Sequence, residues 1–260
     1  MAWRYCGDQI KRWREQAGVT REALAKEASC SYEYVKSMEA GRRKPTSHLL
    51  QVADALCGAG GLLVGAREFL VPDKFPSFSQ DFIRYEAEAI VLSWFEPLLI
   101  PGLLQTEETA RALLNAHWPP LDDETIDIRV AARLDRQRLL ERRTRFFSFV
   151  IAETALRHPI DSAASHRRQL QRLLDVGEQR NLSIQVLPIG GAHPGLNGPI
   201  VLLETADHEH LAYEEGQATG VLYSDPEKVG VMTQRHAMIL RMALSPEESA
   251  RFIAKLAEEL

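Results

Sequence analysis

Between positions 29 and 45 the chain reads SCSYEYVKSMEAGRRKP, a stretch that gathers side chains able to bind a polyanion. Tyr32, Tyr34 and Lys36 crowd one short segment, and Arg42, Arg43 and Lys44 follow directly after Gly41. Ser31 is a good N-cap and Gly41 a good stop, so the segment reads as one short helix with cations beside its end. A single helix fits the major groove of DNA, where hydroxyl, carboxylate and ammonium groups can meet base edges. Guanidinium and ammonium groups beside such a helix can hold phosphate oxygens. A plainer account exists. Cations past a helix end also pair with its dipole and stay solvated, and tyrosines also pack.

Other residue types that could do chemistry give weaker patterns. DHEH at 207–210 places His208 and His210 two residues apart with no third metal ligand in sight, which reads as a solvated hairpin turn. GGAHPGLNGP at 190–199 lacks the spacing of a phosphate-cradling loop. Its His193 and Asn197 remain a possible ligand loop, although a connection between strands explains the glycines equally well. No GxSxG elbow occurs, and Cys30 lies in the basic helical region, so no nucleophile–base pair stands out. No metal, cofactor or catalytic residue is expected. Cys6, Cys30 and Cys57 form no CxxC pair and are odd in number, which argues for reduced thiols and a cytoplasmic protein. No apolar run is long enough to span a bilayer and the N-terminus does not read as a signal peptide, so no membrane partner is expected.

The elements that must position these residues come next. Net charge is −5, but residues 1–70 hold 11 Lys/Arg against 8 Asp/Glu, while 71–260 hold 20 against 28. The cationic excess thus lies with the short helix. Four helices are predicted in close succession. The first spans about 8–17, with Ile10, Trp13 and Ala17 inward. The second is capped by Thr20, with Ala23, Leu24 and Ala28 inward. The third starts at Ser31, with Val35 and Met38 inward. The fourth is capped by Thr46 and carries Leu49, Leu50, Val52, Ala53 and Leu56. VPDKFPSFSQ at 71–80 has no helical period and reads as a linker. Beyond it, strands are expected near 89–97, 146–153, 182–188, 199–204, 209–215 and 220–224. Helices are expected over 102–117, 122–143, 164–180, 226–244 and 245–260, the last with a capping box from Ser245 to Glu248. The expected architecture is multidomain: an all-α bundle over 1–70 and an α+β domain over 81–260. On the Arg-rich helix, Arg129, Arg133 and Arg136 share a face that reads as solvated, with the stems covering apolar surface, or else as a dock for an acidic partner or DNA.

Two short helices joined by a tight turn inside a helical bundle make a helix-turn-helix. WREQAGVTREALA, the run V-x-x-M-E-x-G-R-R-x-P and the apolar fourth helix resemble the Xre, or phage-repressor-like, helix-turn-helix family over about residues 7–58. The resemblance implies that Ser31, Tyr32, Glu33 and Ser37 face the groove, with Tyr34 and Lys36 at the flanks. It implies that Arg21, where Gln is common, touches a phosphate or braces Tyr32, and that Arg42, Arg43 and Lys44 hold the backbone of double-stranded DNA. It also implies a buried structural ion pair between Arg14 and Glu39. FEPLLIPGLLQTEETARALL, FVIAETALRHPI, IQVLPIGGAHPGLNGPIVLLE and MALSPEESARFI resemble the domain of unknown function that follows this module in many actinobacterial regulators. That resemblance implies a regulator antagonised by a small protein partner. One helix-turn-helix covers half a site, so a homodimer is expected, with residues 81–260 dimerising and receiving the signal from a small protein partner or a ligand. Repression is the expected mode. A DNA-tethered enzyme or toxin-like hydrolase in 81–260, or a protein-interaction switch, are the rival readings.

Overall fold

Gly7 lies inside the first helix, α1 (Ala2–Gln16), rather than before it. A Cβ at Gly7 would stand 2.0 Å from the Met38 carbonyl oxygen, so only glycine lets α1 approach the third helix this closely. The expected start near residue 8 is therefore too late. The computed structural model describes residues 2–70, 79–217 and 219–260. The expected linker falls mostly on 71–78, outside the described residues, and Gln80 already opens a helix.

The chain divides into two compact units, Met1–Pro72 and Asp73–Leu260. In the first, α1 is followed by α2 (Arg21–Glu27), α3 (Tyr32–Glu39), α4 (Ser47–Cys57) and the single turn α5 (Leu62–Gly65). Thr20, Ser31 and Thr46 each accept a backbone N–H three residues on, which sets the start of α2, α3 and α4. Ile10, Leu24, Val35, Met38, Leu49, Leu50 and Ala53 form the core. Three expected core positions are instead exposed: Ala17, Ala23 and Leu56. Ala17 lies past the end of α1, in the turn to Gly18. On α2 the inward face is Leu24, Ala25 and Ala28, and on α4 it continues through Asp54 to Cys57.

The second unit is α+β. A six-stranded sheet has the order β3-β2-β1-β4-β5-β6, with β1 (Val91–Glu96), β2 (Phe146–Ala152) and β3 (Leu182–Leu187) parallel. The antiparallel half is β4 (Ile200–Glu204), β5 (His210–Glu215) and β6 (Gly220–Tyr223). The parallel strands need crossovers, which α7 (Glu107–Asn115), α8 (Asp123–Arg136), α9 (Glu153–Arg157) and α10 (Ala163–Gly177) supply. The chain closes with α11 (Pro226–Met242) and α12 (Pro246–Glu258), and the Ser245–Glu248 capping box is present.

α6 (Gln80–Glu88) has no counterpart in the sequence reading. It is short, and its role is tertiary. Phe82 stacks on Tyr213 with centroids 4.2 Å apart and meets Trp94 edge-on at 5.9 Å. The helix expected over 102–117 is broken: Gly102–Leu104 is a 3-10 turn, and Thr106 caps α7. α8 gives way to a 3-10 turn over Gln137–Glu141.

Candidate nucleic-acid interface

On α3 the apolar residues Val35 and Met38 point inward together with the carboxylate of Glu39. At about 100° per residue this turns Glu33, Lys36 and Ser37 outward and leaves Tyr32 and Tyr34 on opposite shoulders. Glu33 and Lys36 are exposed and 3.5 Å apart. The Lys36 ammonium also lies 5.9 Å from the centre of the Tyr32 ring. Ser31 caps the helix, its Oγ accepting from the Tyr34 N–H at 3.2 Å, so its side chain is engaged with the backbone. Tyr34 packs against the bundle core, and the Arg43 guanidinium lies 5.7 Å over its ring. Arg42 and Arg43 are exposed and Lys44 half-buried, just past the turn at Gly41, whose φ of +67° favours glycine.

Glu39 anchors this arrangement from below. Arg14 donates Nε to Glu39 Oε1 at 2.5 Å and Nη2 to Oε2 at 3.1 Å, and its Nη1 donates to the Val19 carbonyl at 2.9 Å. Arg21 donates Nε to Glu39 Oε2 at 2.7 Å. The hydrogen bond to Glu39 is the main reason that both guanidiniums have pKa values raised above the ordinary range. A side-chain hydrogen bond with Tyr32 raises that of Arg21 further. Arg21 is thus committed inward through its Nε, and Glu39 ties α1, α2 and α3 together at one point. The sequence pointed to the Arg14–Glu39 pair only through a family likeness, and gave no sign that Arg21 joins it.

In the second unit, His193 and Asn197 flank a short turn between β3 and β4. Pro194–Asn197 forms a 3-10 turn, with Asn197 exposed. His193 is half-buried and edge-on to Phe95 at 6.5 Å. A Cβ at Gly195 would come within 2.5 Å of Phe95, so packing explains this glycine. His208 sits in the β4–β5 turn against Glu204, and no group of ligating residues able to hold a metal occurs among the described residues. A small, partly open cavity beside Ile100, Thr109, His166 and Gln169 has a volume of about 10 Å³, room for one water.

Residues 79–255 match the family described as Domain of unknown function (DUF5753), and residues 6–66 match a Helix-turn-helix domain. The chain belongs to the DUF5753 family. Its N-terminal unit is a helix-turn-helix, with α2 and α3 as the helix pair. No curated protein and no solved structure matches the chain.

Within the DUF5753 domain the solvated arginine face expected on α8 is absent. Arg136 makes a two-pronged contact with the buried Glu86, both bonds 2.8 Å, and Arg133 donates to Gln105 Oε1 at 2.7 Å. Burial, with Arg136 and Arg129 nearby, pulls the Arg133 pKa down to about 10. Glu96, at the end of β1, is pushed up to about 7, chiefly by burial. Its neighbours come from the loop at 98–99 and from β5, which no local sequence pattern connects.

Proposed function

We propose that this chain is a sequence-specific DNA-binding transcriptional regulator that acts in the cytoplasm as a dimeric repressor. The observation that carries the reading is the outer face of α3. Tyr32, Glu33 and Lys36 are exposed and Ser37 half-buried on the side of α3 away from Val35 and Met38, at the start and middle of the second helix of a helix-turn-helix. Glu33 suits a cytosine amino group, and Tyr32 a base or sugar. Arg42 and Arg43, exposed and without a carboxylate partner among the described residues, suit phosphates beside the groove. Lys44 joins them, and Arg21, tied to Glu39, positions Tyr32. The C-terminal unit dimerises the protein and is controlled by a small antagonist protein, a reading supported by the family likeness. A dimer seated on a promoter blocks polymerase with no further machinery.

The test is selection of duplexes from a random pool by the full chain, repeated with Tyr32→Ala. The expected result is a defined half-site whose preferred bases change in the variant. An unchanged site would remove Tyr32 from recognition, and enrichment of no sequence would overturn specific binding.

A further inference from the structure

The sheet of the C-terminal unit has α11 across one face. Val229, Met232, His236 and Ile239 on α11 are buried against that face. The opposite side of α11 is exposed and ordered. Glu227, Gln234 and Arg241 fall seven residues apart, so they form one line down the middle of the outer face. Val231, Met238 and Met242 lie beside that line and are 44%, 46% and 43% exposed.

This pattern is self-complementary about Gln234. Two copies of α11 laid antiparallel across a two-fold axis at Gln234 set Glu227 against the partner's Arg241, and Arg241 against the partner's Glu227. Gln234 then meets the partner's Gln234, and an amide can both donate to and accept from its own kind. The two-fold keeps the apolar residues of both copies on the same side of that line, where Val231 comes level with the partner's Met238. Neither the Glu227 nor the Arg241 side chain has an ion-pair partner among the described residues. A two-fold contact uses the same patch on both copies, which is what this spacing provides.

We propose that α11 is the self-association helix of this protein and that a second copy of the chain covers its outer face. The proposal rests on the dimeric reading above and gives it a surface. Two crossed helices bury less than a standard interface, so the free dimer is weak. Two half-sites on one duplex strengthen it by raising the effective concentration.

Sedimentation velocity of the full chain over about 1–100 µM tests this, a range in which a weak dimer dissociates on dilution. Glu227→Arg or Arg241→Glu alone places two like-charge contacts in the dimer and is expected to weaken it about tenfold. The double exchange E227R/R241E restores both contacts and returns the affinity to within about twofold. Met238→Glu is expected to weaken it about a hundredfold. Far-UV circular dichroism confirms that each variant folds. A wild-type dimer untouched by Met238→Glu overturns the α11 contact, gives that face to another protein, and leaves the dimeric reading standing. A chain that stays monomeric throughout the range, alone and on the selected duplex, overturns both.

Discussion

The Arg14 guanidinium spans both carboxylate oxygens of Glu39, a residue 25 positions away that also holds Arg21. Both partners of the first pair are buried, at 8% and 2% side-chain exposure. Charges removed from water are stable there only while each satisfies the other. The outer side of α3 is therefore held in place by a carboxylate on its inner side.

Glu39→Gln should destabilise the N-terminal unit by about 3–5 kcal/mol, because two guanidiniums then lose the carboxylate they share and one of them, Arg14, is buried. Thermal melts of the full chain, following the helical unit, measure this. A loss under about 1 kcal/mol would mean that water reaches Arg14 readily.

Asp54 sets up an acid limit. Burial raises its pKa, but N–H bonds from Gly61, Val64 and Leu63 more than offset this and hold it below the ordinary carboxylate range. The folded state therefore binds the proton less tightly than the unfolded chain. Asp54 contributes its stability above the unfolded pKa of about 4 and loses it as pH falls through the lower folded value. Asp54→Ala should cost about 2–3 kcal/mol at pH 7 by leaving three N–H groups at the start of α5 without an acceptor. Its melts should also change less than the wild type's below pH 4.

Arg43→Ala should weaken binding to every duplex, and its plot of log affinity against log salt should be shallower by about 1, the signature of one lost phosphate contact. An unchanged slope would leave Arg43 as a lid on the Tyr34 ring alone.

Glu96 acts in the opposite sense to Asp54. Its folded pKa of about 7 exceeds the unfolded value, because burial outweighs the favourable backbone N–H groups of Leu98 and Leu99, and Glu215 adds repulsion. Its contribution is complete below about pH 4.3 and is lost as pH rises to about 7, at up to about 1.4 kcal/mol per pH unit. Glu96→Gln should flatten that fall and stabilise the protein at pH 8. Denaturant titrations at a series of pH values would show it, and equal slopes in both proteins would contradict the buried carboxylate.

The short-range signals in the chain were legible. Ser31, Thr20 and Thr46 each sit three residues before the N–H they cap, and a cap needs no knowledge of the rest of the fold. The alternating and apolar strand segments were equally local. The start of α1 was not legible, because Gly7 inside it answers to a close contact with Met38 that no local pattern announces. α6 and the inward arginines of α8 were missed for the same reason. Phe82 finds Tyr213, and Arg136 finds Glu86, only when distant segments meet.

Local spacing alone thus determined that a helix begins at Ser31, that Arg42, Arg43 and Lys44 follow it, and that strands and helices of an α+β unit come after, because caps, periods and charge runs act within a few residues. Only the tertiary structure decided where the charges point. Glu39 and Arg21 turned inward, α8 lost its solvated face, and the outer face of α11 stayed bare, since burial depends on which surfaces the whole chain brings together.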